Sequence, residues 1–246
     1  MTRVAIAGHG GRVGRALVPL LQAERDIDYA GGVGREDDLG AFLRRTRPDV
    51  LVDFTHPGVA LHNALAAVAA GATPVVGTSG LKPEDVARLA TACQAAGLGG
   101  IVAPNFAIGA VVMVWLAERA APYFEAVEVV EAHHATKADA PSGTALATAR
   151  AIAAANPARF AAPEPERVTV AGTRGGIVDG VAIHSLRLPG VVADQEVVFG
   201  LPGQTLSIAH RTTSRDAFGP GVLLAIRRLR EDRSFYDGLG ALLGLR

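Results

Sequence analysis

The chain has 246 residues, 49% of them hydrophobic and 20% charged, enough to bury a substantial core and too apolar for a disordered segment. Its 24 basic and 24 acidic residues cancel, so it lacks the basic footprint of a general nucleic-acid binder. Its single cysteine, Cys93, excludes an internal disulfide or a multi-cysteine zinc site.

The opening "MTRVAIAGHG" meets glycines too soon for a signal peptide, and no apolar run reaches the ~20 residues that span a bilayer, so a soluble cytoplasmic protein is expected. "RVAIAG" is an apolar strand ending in glycine. "RVGRALVPLLQAE" has helical spacing, with Val13, Leu17, Leu20 and Leu21 on one side. "DYAGGV" and "DVLVDFT" read as strands, and "VALHNALAAVAAG" as a helix closed by glycine. "TPVVGTSG" is strand then turn, and "KPEDVARLATACQAAG" is a helix with Pro in its first turn and Gly past its end. "GGIVAPN" is again strand then turn. Strands alternating with helices imply crossover units and a parallel sheet.

After residue 105 the pattern changes. The helix "GAVVMVWLAERAAPYF", the strand "AVEVVEAHH" and the helix "TALATARAIAAAN" precede a Pro/Ala/Glu-rich loop over residues 157–166. Four short strands are then expected at "RVTVAG", "VAIHSLRL", "QEVVFG" and "TLSIAHRT", with the alternation of a half-buried antiparallel sheet. "AFGPGVLLAIRRLRED" is a last amphipathic helix. The organisation is a nucleotide-type α/β unit followed by an α+β unit with an open sheet.

Two stretches carry chemistry. In "AIAGHGGRVGRAL", Gly8, Gly11 and Gly14 form G-x-x-G-x-x-G between the first strand and first helix, and Gly10 adds G-x-G. Glycine permits close backbone approach, and helix N-terminal amides hold a pyrophosphate, so this is a dinucleotide site. In the second strand's sequel, "GGVGRED", Gly34 stands where an acid would bind a ribose 2′-hydroxyl, and Arg35 can pair with a 2′-phosphate. That favours NADPH, while Glu36 and Asp37 keep NADH open. The turns Gly77-Thr78-Ser79-Gly80 and Ala103 to Gly109 follow strands and are placed to face the nicotinamide.

The second stretch is "EAHHATKADAPSGTA", residues 131–145. A strand ends near the histidines and a helix begins near Gly143-Thr144, capped by Ser142 or Thr144. Free first-turn amides together with Lys137 make a carboxylate site, and His133 or His134 can supply a proton. A metal site is disfavoured because adjacent histidines on a strand point to opposite faces. A serine hydrolase is disfavoured because no G-x-S-x-G elbow is present.

These residues, with "VLVDFTHP", "VVGTSG", "APNFAIGA" and "SIAHRTTSRDAFGPGVLLAIRRL", resemble the dihydrodipicolinate (4-hydroxy-tetrahydrodipicolinate) reductase family along the whole chain. The "HHATKADAPSGTA" block is specific to that family; the glycine loop is not. The resemblance implies NAD(P)H-dependent reduction of (2S,4S)-4-hydroxy-2,3,4,5-tetrahydrodipicolinate on the diaminopimelate route to lysine, without a metal. It implies proton-donor roles for His133 and Lys137, and substrate contacts from His134, Ser142, Gly143 and Thr144. Cofactor contacts fall on Gly8, His9, Gly10, Gly11, Arg12, Val13, Arg35, Gly77, Thr78, Ser79, Ala103, Pro104, Asn105 and Phe106. The implied fold is an N-terminal Rossmann domain, a doubly wound parallel sheet over residues 1–106 completed by a C-terminal helix, 215–246. An α+β domain with an open mixed sheet, residues 107–214, would bind substrate and assemble a homotetramer. Gly34 departs from the acid often seen before the arginine, and "GTSG" from the commoner "GTTG". Rival readings are a related nicotinamide dehydrogenase, against which the histidine–lysine block argues, and a silent nucleotide-binding protein, which would not need His133 and Lys137.

Overall fold

Alternating apolar runs and helical stretches become a six-stranded parallel sheet in the computed structural model, which describes residues 1–156, 158, 160 and 165–245. The first half contains β1 (Thr2–Ala7), α1 (Arg12–Ala23), β2 (Ile27–Val33), α2 (Leu39–Thr46), β3 (Val50–Asp53) and α3 (Pro57–Ala69). It continues through β4 (Thr73–Val76), α4 (Pro83–Ala95), β5 (Gly100–Val102) and α5 (Ile108–Ala120). Then come β6 (Ala126–His133), α6 (Gly143–Ala155), β7 (Gly176–Val178), β8 (Val181–Arg187), β9 (Ala193–Leu201) and β10 (Gln204–Thr212). The chain closes with α7 (Gly219–Glu231), β11 (Phe235–Asp237) and α8 (Leu239–Leu243).

The chain forms two compact units, Met1–Ile108 with Arg215–Arg246, and Gly109–Ser214. In the first, the strand order is β11-β5-β4-β3-β1-β2 and every pairing is parallel. Strands β3, β4 and β5 are buried throughout, as expected of strands covered on both faces. Strand order reverses between β1 and β3, the place where open α/β sheets bind nucleotides beyond their carboxyl ends. Ala5, Ala7, Val33, Phe42, Leu43 and Leu51 form one core cluster with Ala67 and Ala72. A neighbouring cluster holds Val76, Leu89, Cys93 and Val102. Cys93 is a core residue, and burial pushes its thiol up to about 11.

In the second unit the order is β10-β9-β6-β8-β7, with β6 and β8 parallel and the other pairs antiparallel. Val127, Val129, Val181, Ile183, Val197 and Phe199 pack with Ala145, Ala149 and Ile152 of α6 into one core. The edge strands are open: β10 is exposed over most of its length and Ile177 of β7 is 55% exposed. The fold class is therefore the one expected, a doubly wound parallel sheet plus a unit with an open mixed sheet.

Several elements differ from expectation. "RVTVAG" is not a strand; Val168 and Val170 are exposed, and Thr173 bonds back to Val170 in a turn. Alternation there found no neighbouring strand, and β7 lies further on. Part of the expected loop at 157–166, namely residues 157, 159 and 161–164, lies outside the described residues. Segment 215–246 holds more than a helix, because β11 adds to β5 as the sixth strand. Its three residues are too few to display a period. Helix α2 was legible but passed over: Asp38 accepts from the Ala41 N–H at 2.9 Å, and Phe42 and Leu43 bury the inner side.

Candidate active site

In the first unit, the glycine loop joins β1 to α1. Gly8 has φ +83°, and a Cβ there would lie 2.5 Å from the Phe54 carbonyl oxygen. A Cβ on Gly14 would lie 2.3 Å from the Gly8 carbonyl oxygen, so these two positions let loop and helix touch. Gly10 differs, since a Cβ there would meet nothing within 4 Å. The loop thus leaves open space beside the first-turn amides of Arg12 and Val13, and Gly11 caps the helix without a side-chain bond. Those features fit a pyrophosphate. His9 is partly buried, its Nδ1 without a hydrogen-bond partner among the described residues.

Beside the ends of β1, β2 and β3 lies a cavity of about 650 Å³, lined by Gly34, Arg35, Asp37, Thr55, His56, His62 and Asn63 among others. That volume suits part of a dinucleotide. Arg35 is therefore placed on a cavity wall. Asp37, one of the two acids that keep NADH open in the sequence, turns its carboxylate back to accept from the Gly34 N–H at 2.6 Å. An acid and a base thus both stand at the end of β2.

Gly77, Thr78 and Ser79 follow β4, and Ala103 to Phe106 follow β5, all at the carboxyl edge of the sheet. Ala103 and Phe106 are fully buried and hold their turn in place, while Pro104 and Ser79 are exposed. Asn105 accepts from the Ala107 N–H at 2.9 Å. Sequence reading missed the residue that ties these turns together. Asp53, 1% exposed, accepts from the Thr78 hydroxyl at 2.6 Å, the Thr55 hydroxyl at 2.8 Å and Asn63 at 2.8 Å. A buried carboxylate with its acceptors filled is a rigid joint. The signal was a lone acid at the end of an apolar strand.

In the second unit, the polar cluster grows from the alternation of β6. Val127, Val129 and Glu131 share the inward face, and His133 follows them on it. His133 Nδ1 lies 2.5 Å from Glu131 Oε2. His134 belongs to the other parity, and its Nδ1 lies 3.0 Å from the Thr136 hydroxyl. Lys137 Nζ donates to Asp139 at 2.6 Å and is 21% exposed. That ammonium holds the Asp139 carboxyl below the usual carboxylate range.

Ser142 is the cap of α6. Its hydroxyl accepts from the Ala145 N–H at 3.1 Å, it is 3% exposed, and its own N–H reaches Glu131 at 3.3 Å. The first intrahelical bond is Leu146 N–H to Ser142 carbonyl, so the Gly143 and Thr144 amides precede it. Nothing lies within 4 Å of where a Gly143 Cβ would be. One loop therefore gathers an imidazole, an ammonium and two helix-start amides. Glu131 and Arg187, which bind each other, were not singled out as site residues from sequence. Among the described residues no cluster of ligands suits a metal, and no helix is long and apolar enough to cross a membrane.

Comparison with known proteins gives concordant matches to both units. The family described as "Dihydrodipicolinate reductase, N-terminus" matches residues 2–106, and "Dihydrodipicolinate reductase, C-terminus" matches residues 109–242. A 4-hydroxy-tetrahydrodipicolinate reductase of Moorella thermoacetica is 44% identical, covering 98% of this chain and 97% of its own. One from Coxiella burnetii is 42% identical, covering 98% of each. A dipicolinate-bound dihydrodipicolinate reductase from Paenisporosarcina sp. TG-14 superposes with TM-score 0.89 at 34% identity, over 98% of this chain and 99% of that one.

Proposed function

The chain belongs to the dihydrodipicolinate reductase family, and on that premise we propose a role for each of its two units. It is a pyridine-nucleotide-dependent oxidoreductase of the diaminopimelate route to lysine. It reduces (2S,4S)-4-hydroxy-2,3,4,5-tetrahydrodipicolinate to (S)-2,3,4,5-tetrahydrodipicolinate with loss of water. The unit built on residues 1–106 and the returning 215–246 segment takes the nucleotide. Residues 107–214 take the substrate and assemble the oligomer.

When bound, the reduced nicotinamide supplies the hydride. The glycine loop from Gly8 to Gly11 and the amides of Arg12 and Val13 hold its pyrophosphate. Gly77 to Ser79 and Ala103 to Phe106 set the turns that orient the nicotinamide. Phe106 and Ala103 act from the core and Thr78 through Asp53, leaving the turn backbones and Ser79 to meet the ligand.

The substrate is a dicarboxylate, and its carboxylates are matched by Lys137 and the start of α6. Lys137 exchanges Asp139 for a substrate carboxylate, like replacing like. The Gly143 and Thr144 amides, with the Thr144 hydroxyl, hold the anion at the positive end of the helix. Ser142 contributes by fixing that helix start, and His134 by lining the loop. The Lys137 ammonium and the helix amides would stabilise negative charge that develops on the substrate ring during reduction. His133, with Lys137, supplies the proton. The observation that carries these roles is the gathering of His133, Lys137 and the α6 start in one loop. The test is a coupled assay in which the condensing enzyme delivers the unstable substrate. Loss of reduced-nicotinamide absorbance must require both substrate and this protein; loss without substrate overturns the reading.

NADPH is the proposed cofactor, with Arg35 pairing to the 2′-phosphate. Asp37, held on the Gly34 N–H, gives NADH a foothold through a ribose hydroxyl. Arg35→Ala is expected to raise the NADPH KM about tenfold, the factor a charge-assisted hydrogen bond of about 1.5 kcal/mol supplies, with NADH little changed. Isothermal titration of both nucleotides checks it, and tighter binding of NADH by the parent enzyme overturns the preference.

The proposed assembly is a homotetramer built through the open sheet of the second unit. Its edge strands β10 and β7 carry unpaired backbone and exposed Leu206 and Ile177, features a monomer would have to protect. Sedimentation velocity is expected to give four times the 25.3 kDa chain mass. A sole 25.3 kDa species at working concentration overturns it. The proposed location is the cytoplasm, to be checked by cell fractionation.

A further inference from the structure

We propose that Glu131 is a positioning residue: its carboxylate fixes the tautomer and ring orientation of His133 and, through Arg187, fastens the loop that carries Lys137. The inference rests on the role given to His133 above and adds what makes that imidazole competent.

Glu131 is wholly buried at the end of β6, where a bare carboxylate would be strongly disfavoured. Besides His133, each partner it has among the described residues is a donor. Arg187 Nη2 reaches Oε1 at 2.9 Å and Nη1 reaches Oε2 at 3.0 Å, a two-pronged pair across adjacent strands. The Ser142 N–H approaches Oε1 at 3.3 Å. Burial raises the carboxyl's pKa, but bonds from Arg187, Ser185 and His133 outweigh it, so Glu131 is held below the usual carboxylate range and stays ionised. An ionised carboxylate only accepts. His133 Nδ1, 2.5 Å from Oε2, must therefore carry a proton. That leaves Nε2 as the atom that takes up a proton and passes it on, the ring being doubly protonated in between, while the Nδ1–H bond to Glu131 fixes how the ring is turned.

Arg187 extends the clamp. Its Nη2 also donates to the Asp139 carbonyl oxygen at 2.6 Å. Its Nε is buried without a partner among the described residues, so its pairing runs through the two Nη groups. The same cation that neutralises Glu131 therefore pins the backbone two residues beyond Lys137. One ion pair, buried at its Glu131 end, sets both proposed proton donors.

Glu131→Gln keeps the size and removes the charge. Arg187 Nη2 and the Ser142 N–H share Oε1 and keep the amide oxygen there, so the amide NH₂ takes the Oε2 place, facing His133 and losing the bond from Arg187 Nη1. Nδ1 must then accept, and the proton moves to Nε2. The experiment is nitrogen-15 NMR of the imidazoles in the intact, substrate-free protein at a pH where they are neutral, with the His133 signal assigned by its absence in His133→Ala. The expected result is an Nδ1-protonated His133 in the parent and an Nε2-protonated one in Glu131→Gln. Kinetics are expected to follow, with kcat down about 10²-fold and KM within about threefold. Glu131→Asp, which keeps the charge, should recover part of both. An Nε2-protonated His133 in the parent overturns the proposal without any variant, as does a Gln variant that keeps both tautomer and kcat. Because the spectrum is read without substrate, it stands apart from the catalytic role: a His133→Ala enzyme of undiminished turnover overturns that role instead.

Discussion

Alanine at Lys137 is expected to lower kcat/KM by about 10²–10⁴-fold, and alanine at His133 to do the same mainly through kcat. The two losses should differ in kind. Lys137 is a cation that can grip a substrate carboxylate in the ground state and support charge on the ring later, so its removal should raise KM and lower kcat together. His133 acts on a proton, and its removal should leave substrate affinity nearly intact. The sequence places both within one loop, but the structure explains why the lysine is available. It already holds an anion, Asp139, at 2.6 Å, and that side chain is 59% exposed. An exposed ion pair is worth little, so exchanging it for a bound carboxylate costs little. Steady-state kinetics with the coupled substrate supply check the pair. If both variants stay within about threefold of the parent, the assignment of this loop to catalysis is wrong.

Asp53→Ala carries the second large effect, on stability and nucleotide binding at once. It strips the acceptor from the Thr78 and Thr55 hydroxyls and the Asn63 amide, in a site where the carboxylate is 1% exposed. Stranding buried donors costs about 1–3 kcal/mol each, so a net loss of about 3 kcal/mol is expected, a Tm lower by roughly 6–12 °C. The turn at Gly77 to Ser79 loses its anchor as well, so nucleotide affinity should fall more than stability alone would suggest. Differential scanning calorimetry with and without nucleotide separates the two. Asp53→Asn keeps one acceptor and should recover part of the loss; an alanine variant melting with the parent would remove Asp53 from the account.

Most of the fold and the outline of the site could be read from local sequence. The parallel sheet shows as apolar runs alternating with helical spacing, and the glycine loop as a motif in a fixed place. The histidine–lysine loop is contiguous, so its residues announce each other. What escaped was what the fold brings together from afar. Arg187 meets Glu131 across 56 positions, and Thr78 meets Asp53 across 25. No spacing rule connects such residues; only the strand pairings β6–β8 and β3–β4 do. The opposite error was made at "RVTVAG", where alternation is genuine but no strand lies beside it. The acid near Gly34 was legible as Asp37, but its bond back to a backbone N–H three residues earlier was not.

The return of the chain to its first unit has a bearing on how the molecule is made. A nascent chain that has emerged as far as residue 108 holds five of the six strands of the first sheet. Its β5 edge still lacks β11, and the apolar face of α7, with Val222, Ala225 and Ile226, has not yet packed by β4. Nor has Gly221 settled against the Phe106 carbonyl, where there is room for no side chain. The whole intervening unit, residues 109–214, must leave the ribosome first. The unit begun first is thus finished last, and an early stop codon anywhere before α7 leaves its sheet without α7 and its sixth strand however complete the second unit is.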